Sequence, residues 1–179
     1  MFKNTSKTVM AALCLALCLL LPFLTGQIPQ IGSMISPMHI PVLLCGFICG
    51  WPYGLLVGLI APVLRSLIFT MPPMITAIVM AFELGAYGAL TGLFYSFFKK
   101  RSINFNMNVI ISLVLSMLLG RIVWGIAAAI IYTATGSEFT FAAFIAGGFL
   151  NAVPAIIIHI ILIPVIVIAL KRAGIIENE

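Results

Sequence analysis

Long apolar runs, each near the length that crosses a hydrocarbon layer about 30 Å thick, follow one another along this chain with barely a charged residue inside them. That pattern restricts the fold more than any motif does. With 63% of 179 residues apolar and 7% charged, there is too little polar side chain to cover a water-facing surface. The implied solvent is lipid, where backbone N–H and C=O groups must be satisfied inside each segment, and segments of this length do so as helices. The expected fold is all-α: residues 1–179 as a single integral membrane domain with six transmembrane helices at about 8–25, 39–50, 53–70, 73–98, 107–132 and 141–170.

The breaks between runs are chemically marked. Gly26 to Pro37 is polar and rich in Gly and Pro, too irregular to cross lipid exposed, so it forms a loop or a plug packed on protein. Trp51-Pro-Tyr-Gly54 separates the second run from the third, and the second is short for a span, which leaves a broken or re-entrant element between His39 and Thr70 open. Lysine and arginine fall in three clusters: Lys3 and Lys7, Lys99 to Arg101, and Lys171 with Arg172. Six spans put all three on one side, and the positive-inside rule makes that side, with both termini, cytoplasmic. Glu138 then lies in an outer loop.

The net charge of +5 does not point to nucleic acid, because the basic residues border apolar runs instead of forming an aromatic-interleaved patch. Lys3 and Lys7 before an apolar stretch imitate a secretory signal, but the sequence beyond it is equally apolar, so the stretch reads as the first span. Cys14, Cys18, Cys45 and Cys49 form two i, i+4 pairs in apolar helices, a spacing of packing residues and not of a zinc site. Small residues recur every fourth position at Ala12 and Ala16, at Gly46, Gly50, Gly54 and Gly58, and at Gly88 and Gly92, which allows close helix approach.

Ionisable groups inside spans are costly and mark function. Here they are Arg65, Glu83, Arg121 and His159, with His39 at a helix edge. At about 1.5 Å per residue from the outer ends, Glu83, Arg121 and Asn151 share a level roughly 15 Å down, on three different helices. Tyr87 and Trp124 lie about one turn from Glu83 and Arg121, so aromatic faces can line the same space. An acid and a guanidinium together favour a neutral or zwitterionic ligand, and the competing reading is an ion pair that only staples two helices. Arg65, roughly 8 Å below the outer surface, could attract or cover a ligand or could snorkel. His159 faces aliphatic neighbours in the sequence and reads as a packing histidine.

No phosphate loop, His-Glu-x-x-His or serine triad is present, so the chain reads as a non-enzyme that needs no cofactor or metal and cannot hydrolyse ATP itself. Transport, if active, must draw on a partner or an ion gradient. A membrane structural or assembly protein, and a proton-coupled secondary carrier using Glu83, are the alternatives.

Ala12-x-x-x-Ala16, the loop closing on Ser36-Pro-Met-His-Ile-Pro41, the turn Gly46-Phe-Ile-Cys-Gly-Trp-Pro-Tyr-Gly54 and the six-helix length resemble the substrate-binding S components of energy-coupling-factor (ECF) vitamin transporters. The resemblance implies a multi-pass protein of a bacterial plasma membrane that binds a vitamin from outside and joins a transmembrane coupling subunit and two ATPases. It implies docking through Ala12 and Ala16, and a pocket formed by the first loop, hence Met38 and His39, with the last three helices. Glu83, Tyr87, Arg121, Trp124, Asn151 and Arg65 complete the expected ligand set. A pyridoxine-like or other small aromatic heterocycle is the expected substrate.

Overall fold

A computed structural model describes residues 2–25, 35–101, 103–136 and 140–176, and every regular element among them is helical. Helix α1 spans Phe2–Leu20 and passes into a 3-10 turn at Leu21–Thr25; α2 spans His39–Cys49, α3 Trp51–Phe69, α4 Met74–Lys100 and α5 Phe105–Ala134. The last helical run comprises α6 at Phe141–Ile145, a π-helical turn at Ala146–Leu150 and α7 at Val153–Arg172. The loop residues 26–34 and Glu138, which the sequence assigns to the outer side, lie outside the described residues.

Five helical runs are long and apolar enough to cross a membrane: Thr5–Leu24, Trp51–Phe69, Met74–Lys100, Phe105–Ala134 and Phe141–Arg172. Helix α2 has 11 residues, about 16 Å of rise, half of the hydrocarbon layer. Its contacts explain the shortness. His39 lies against Tyr87 while Phe47 lies against Tyr95, so α2 starts level with the middle of α4 and runs alongside it toward the basic end. Gly50 reverses the chain there at φ 91°, a conformation that a side chain would strain, and α3 returns antiparallel to α4.

Glycine sets the spacing of these helices. A Cβ on Gly54 would stand 2.5 Å from the Gly88 carbonyl oxygen, and one on Gly46 would stand 2.6 Å from the same oxygen. The ridges seen in the sequence therefore meet each other, and backbone touches backbone where lipid offers no hydrophobic drive for association. Helix α4, clasped by α2 and α3 on one side and by α5 on the other, is the axis on which the interior is built.

The basic residues collect at one end of the bundle. Lys7 of α1 and Lys99 of α4 line one recess together with Gly174 to Ile176 beyond α7, and Lys171 Nζ lies 3.8 Å from the centre of the Phe105 ring.

Candidate functional site

Helix α4 projects Glu83 and Tyr87, one turn apart, into the interior, where they are 2% and 1% exposed. Facing them from α5, an Arg121 guanidinium nitrogen lies 2.8 Å from Glu83 Oε1. From the start of α2, His39 Nε2 lies 3.5 Å from the same oxygen. The Tyr87 hydroxyl is directed at both Glu83 and Arg121, and its ring fits against α5 because Gly120 has no side chain to displace it. Helix α7 contributes His159, whose ring stacks on His39 at 5.8 Å between centroids and 22° between planes. Five ionisable side chains from four helices thus meet inside an apolar bundle.

How a polar side chain such as His39 reaches that depth is explained by the segment before it. Ser36 has a positive φ of 49°, and Ser36, Pro37 and Met38 are all buried. The Ser36 carbonyl accepts from the His39 amide at 3.0 Å, and the Met38 carbonyl accepts from the Cys18 thiol at 3.6 Å. The end of the first loop thus enters the bundle and delivers His39 to its centre, not to a membrane edge.

Several polar atoms in this cluster have no hydrogen-bond partner: His39 Nδ1, Arg121 Nε and His159 Nε2 are buried without one. Unmet donors and acceptors in a low-dielectric interior cost about 1–3 kcal/mol each, more than a bundle kept together only for packing has reason to accumulate at one spot.

The remaining sequence-derived residues divide. Trp124, one turn from Arg121, is half-buried, stacks on Phe144 at 6.1 Å and packs against Gly147 and Gly148 of the π turn. It also packs on the small apolar group of Val79, Ala127 and Ala128, of which Val79 lies one turn of α4 from Glu83 on the side away from the basic end. Asn151 does not join. It is exposed, because the π turn closes an i to i+5 bond, from the Asn151 amide to the Ala146 carbonyl at 2.9 Å. The extra residue rotates the next part of the helix by about 100° from the face that α-helical counting predicts.

Arg65 is likewise separate. It is 3% exposed, donates to the Leu19 carbonyl at the end of α1, and lies between the Phe23 and Phe69 rings at 4.8 and 5.3 Å. Carbonyls in the last turn of a helix lack intrahelical donors, and the guanidinium supplies one, so Arg65 neither snorkels nor reaches the cluster.

His159, read from the sequence as a packing histidine, is brought by the fold into the cluster. Its neighbours in sequence are aliphatic, and its partner, His39, is 120 positions away; intramembrane ionisability was the only signal available. Ala12 and Ala16, by contrast, stand on an exposed face of α1 with Val9, Leu13, Leu17 and Leu20, while Ala11, Cys14 and Cys18 turn inward. Among the described residues no three of His, Cys, Asp and Glu are placed to hold a metal ion.

The family model described as "ECF transporter, substrate-specific component" matches residues 6–167. No curated protein and no solved structure matches the chain.

Proposed function

The chain belongs to the substrate-specific components of ECF transporters, and from that premise we propose that the Glu83–Arg121–His39 cluster binds a small, neutral or zwitterionic vitamin. The observation that carries this reading is the set of unpartnered buried atoms around a compensated charge pair. Glu83 already faces Arg121 and His39, so a strongly anionic ligand would have to compete with the carboxylate for the guanidinium. A ligand offering an acceptor to Arg121 Nε and a donor to a histidine nitrogen would satisfy what the protein leaves unmet. Tyr87, His39 and His159 provide ring faces, and Trp124 borders the cluster, an environment suited to a flat heterocycle of pyridoxine size. Met38, next to His39 in the chain, closes the site from the first loop.

Delivery needs energy from outside this chain. We assign it to a transmembrane coupling subunit with two ATPases, docked on the exposed α1 face at Ala12 and Ala16, where small side chains permit close helix approach. Binding from outside and a cytoplasmic location of the basic end, in a bacterial plasma membrane, complete the reading.

Mass spectrometry of small molecules released from the purified, denatured protein tests the binding claim directly. One heterocyclic vitamin near one per chain is the expected result. Repeated preparations without a small molecule, together with a vitamin panel that gives no thermal shift, would remove it.

A further inference from the structure

The chain has two histidines, His39 and His159, and the fold stacks one ring on the other. His159 stands on the inward face of α7, one turn from Ala155 on one side and from Ile163 on the other, both fully buried, and is itself 2% exposed. Its ring donates to the Ser36 carbonyl; the donor is Nδ1, because Nε2 is the ring nitrogen without a partner. The same carbonyl accepts from the His39 amide at 3.0 Å. Amides in the first turn of a helix have no intrahelical acceptor, so the direction of the Ser36 carbonyl decides where α2 begins and therefore where His39 stands. Ser36 holds a positive φ of 49°, a conformation that a residue with a side chain keeps only where contacts around it enforce it. Those contacts include His159 at the Ser36 carbonyl and the Cys18 thiol at the Met38 carbonyl.

We propose that His159 is a positioning residue for the vitamin site: by fixing the Ser36 carbonyl it holds His39 against Glu83. The proposal rests on the vitamin reading of the Glu83 cluster. Both contacts of the His159 ring serve the same end, since its N–H goes to the carbonyl that sets the start of α2 and its face lies on the side chain that this carbonyl places. The role also accounts for the residue type. An imidazole carries a donor on a flat body, so one side chain can hold the carbonyl and face the His39 ring; phenylalanine supplies only the face, and asparagine only the donor.

That division gives the test, made on the full chain in detergent. The probe is the small molecule that the wild type releases on denaturation, added back to stripped protein. His159→Phe keeps the ring and removes the donor; it should retain the melting temperature and lose affinity by on the order of tenfold, while His159→Asn, which keeps a donor where Nδ1 stood, stays within about threefold of wild type. His39→Ala should itself weaken binding, and in that background His159→Phe should cost less than about twofold more, because its effect passes through His39. An equal cost in both backgrounds, or a Phe variant that binds as wild type does, overturns the positioning role and leaves the vitamin site standing. If His39→Ala binds as tightly as wild type, the vitamin reading of the cluster fails and the role falls with it. A second arm needs no probe. With two histidines in the chain, nitrogen NMR of histidine-labelled, stripped protein resolves both rings, His39→Ala assigns them, and His159 should carry its proton on Nδ1 with Nε2 bare. A proton on Nε2 instead removes the Ser36 link and the proposal with it.

Discussion

Glu83 is one carboxylate facing two basic partners, and that imbalance makes its substitution informative. Glu83→Gln leaves Arg121 buried opposite an amide, and Arg121→Met leaves the carboxylate with His39 alone. Removing one member of a buried pair costs about 3–5 kcal/mol when the other stays charged. Both variants are therefore expected to weaken vitamin binding by at least tenfold, measured by isothermal titration once the co-purified ligand is identified; equal affinity in all three proteins would put the site elsewhere. Arg65 behaves oppositely. Arg65→Met removes the donor to the Leu19 carbonyl and the cation between Phe23 and Phe69, so the melting temperature should fall while ligand affinity stays within about twofold. The sequence allowed the meeting of Glu83 with Arg121 to be read and not the engagement of Arg65: intramembrane charge marks Glu83, Arg121 and Arg65 alike, and only three-dimensional contacts reveal that Arg65 is occupied by the end of α1. The pairing of His159 with His39 was invisible for the same reason.

At the level of elements, the approach of α2 and α3 to α4 governs where Glu83 and Tyr87 point. A Cβ on Gly88 would run into the Gly54 backbone, and one on Gly54 would meet the Gly88 backbone in return. Backbone cannot move aside as a flexible side chain can, so Gly88→Ala and Gly54→Ala should each destabilise by about 1–3 kcal/mol despite alanine's higher helix propensity. Thermal unfolding in detergent reads this, and a variant as stable as wild type would show that the helices are not in contact there. The four-residue glycine spacing announced these contacts in the sequence. What it did not announce was the π turn at Ala146–Leu150: hydropathy is continuous through it, and a periodic reading carried straight across assigns Asn151 to the wrong face. The length of α2 was legible as a shortage of apolar residues before Trp51, whereas its start in the middle of the bundle depends on how Ser36 to Met38 pack.

For the whole molecule, the proposed sites of recognition and of energy input lie on different surfaces. The Glu83 cluster draws its side chains from α2, α4, α5 and α7, while α1 turns Ala12 and Ala16 outward and uses Ala11, Cys14 and Cys18 to hold the bundle. A lipid-facing helix gains nothing from small residues, since Leu or Ile would serve as well against acyl chains; the alanines make sense where another backbone must come close. Bulk at these positions should separate the two activities. Ala12→Trp and Ala16→Trp are expected to leave vitamin affinity and melting temperature near wild type, because neither side chain faces the interior, and to reduce uptake in cells at least tenfold by holding the coupling subunit away. Pull-down of the coupling module by a tagged chain gives the second readout, and it should fall in parallel with uptake. If uptake persists in both variants with the partner still bound, the contact lies on another face of the bundle; if affinity falls as well, the two surfaces are linked through α1, and recognition and energy input are not separate.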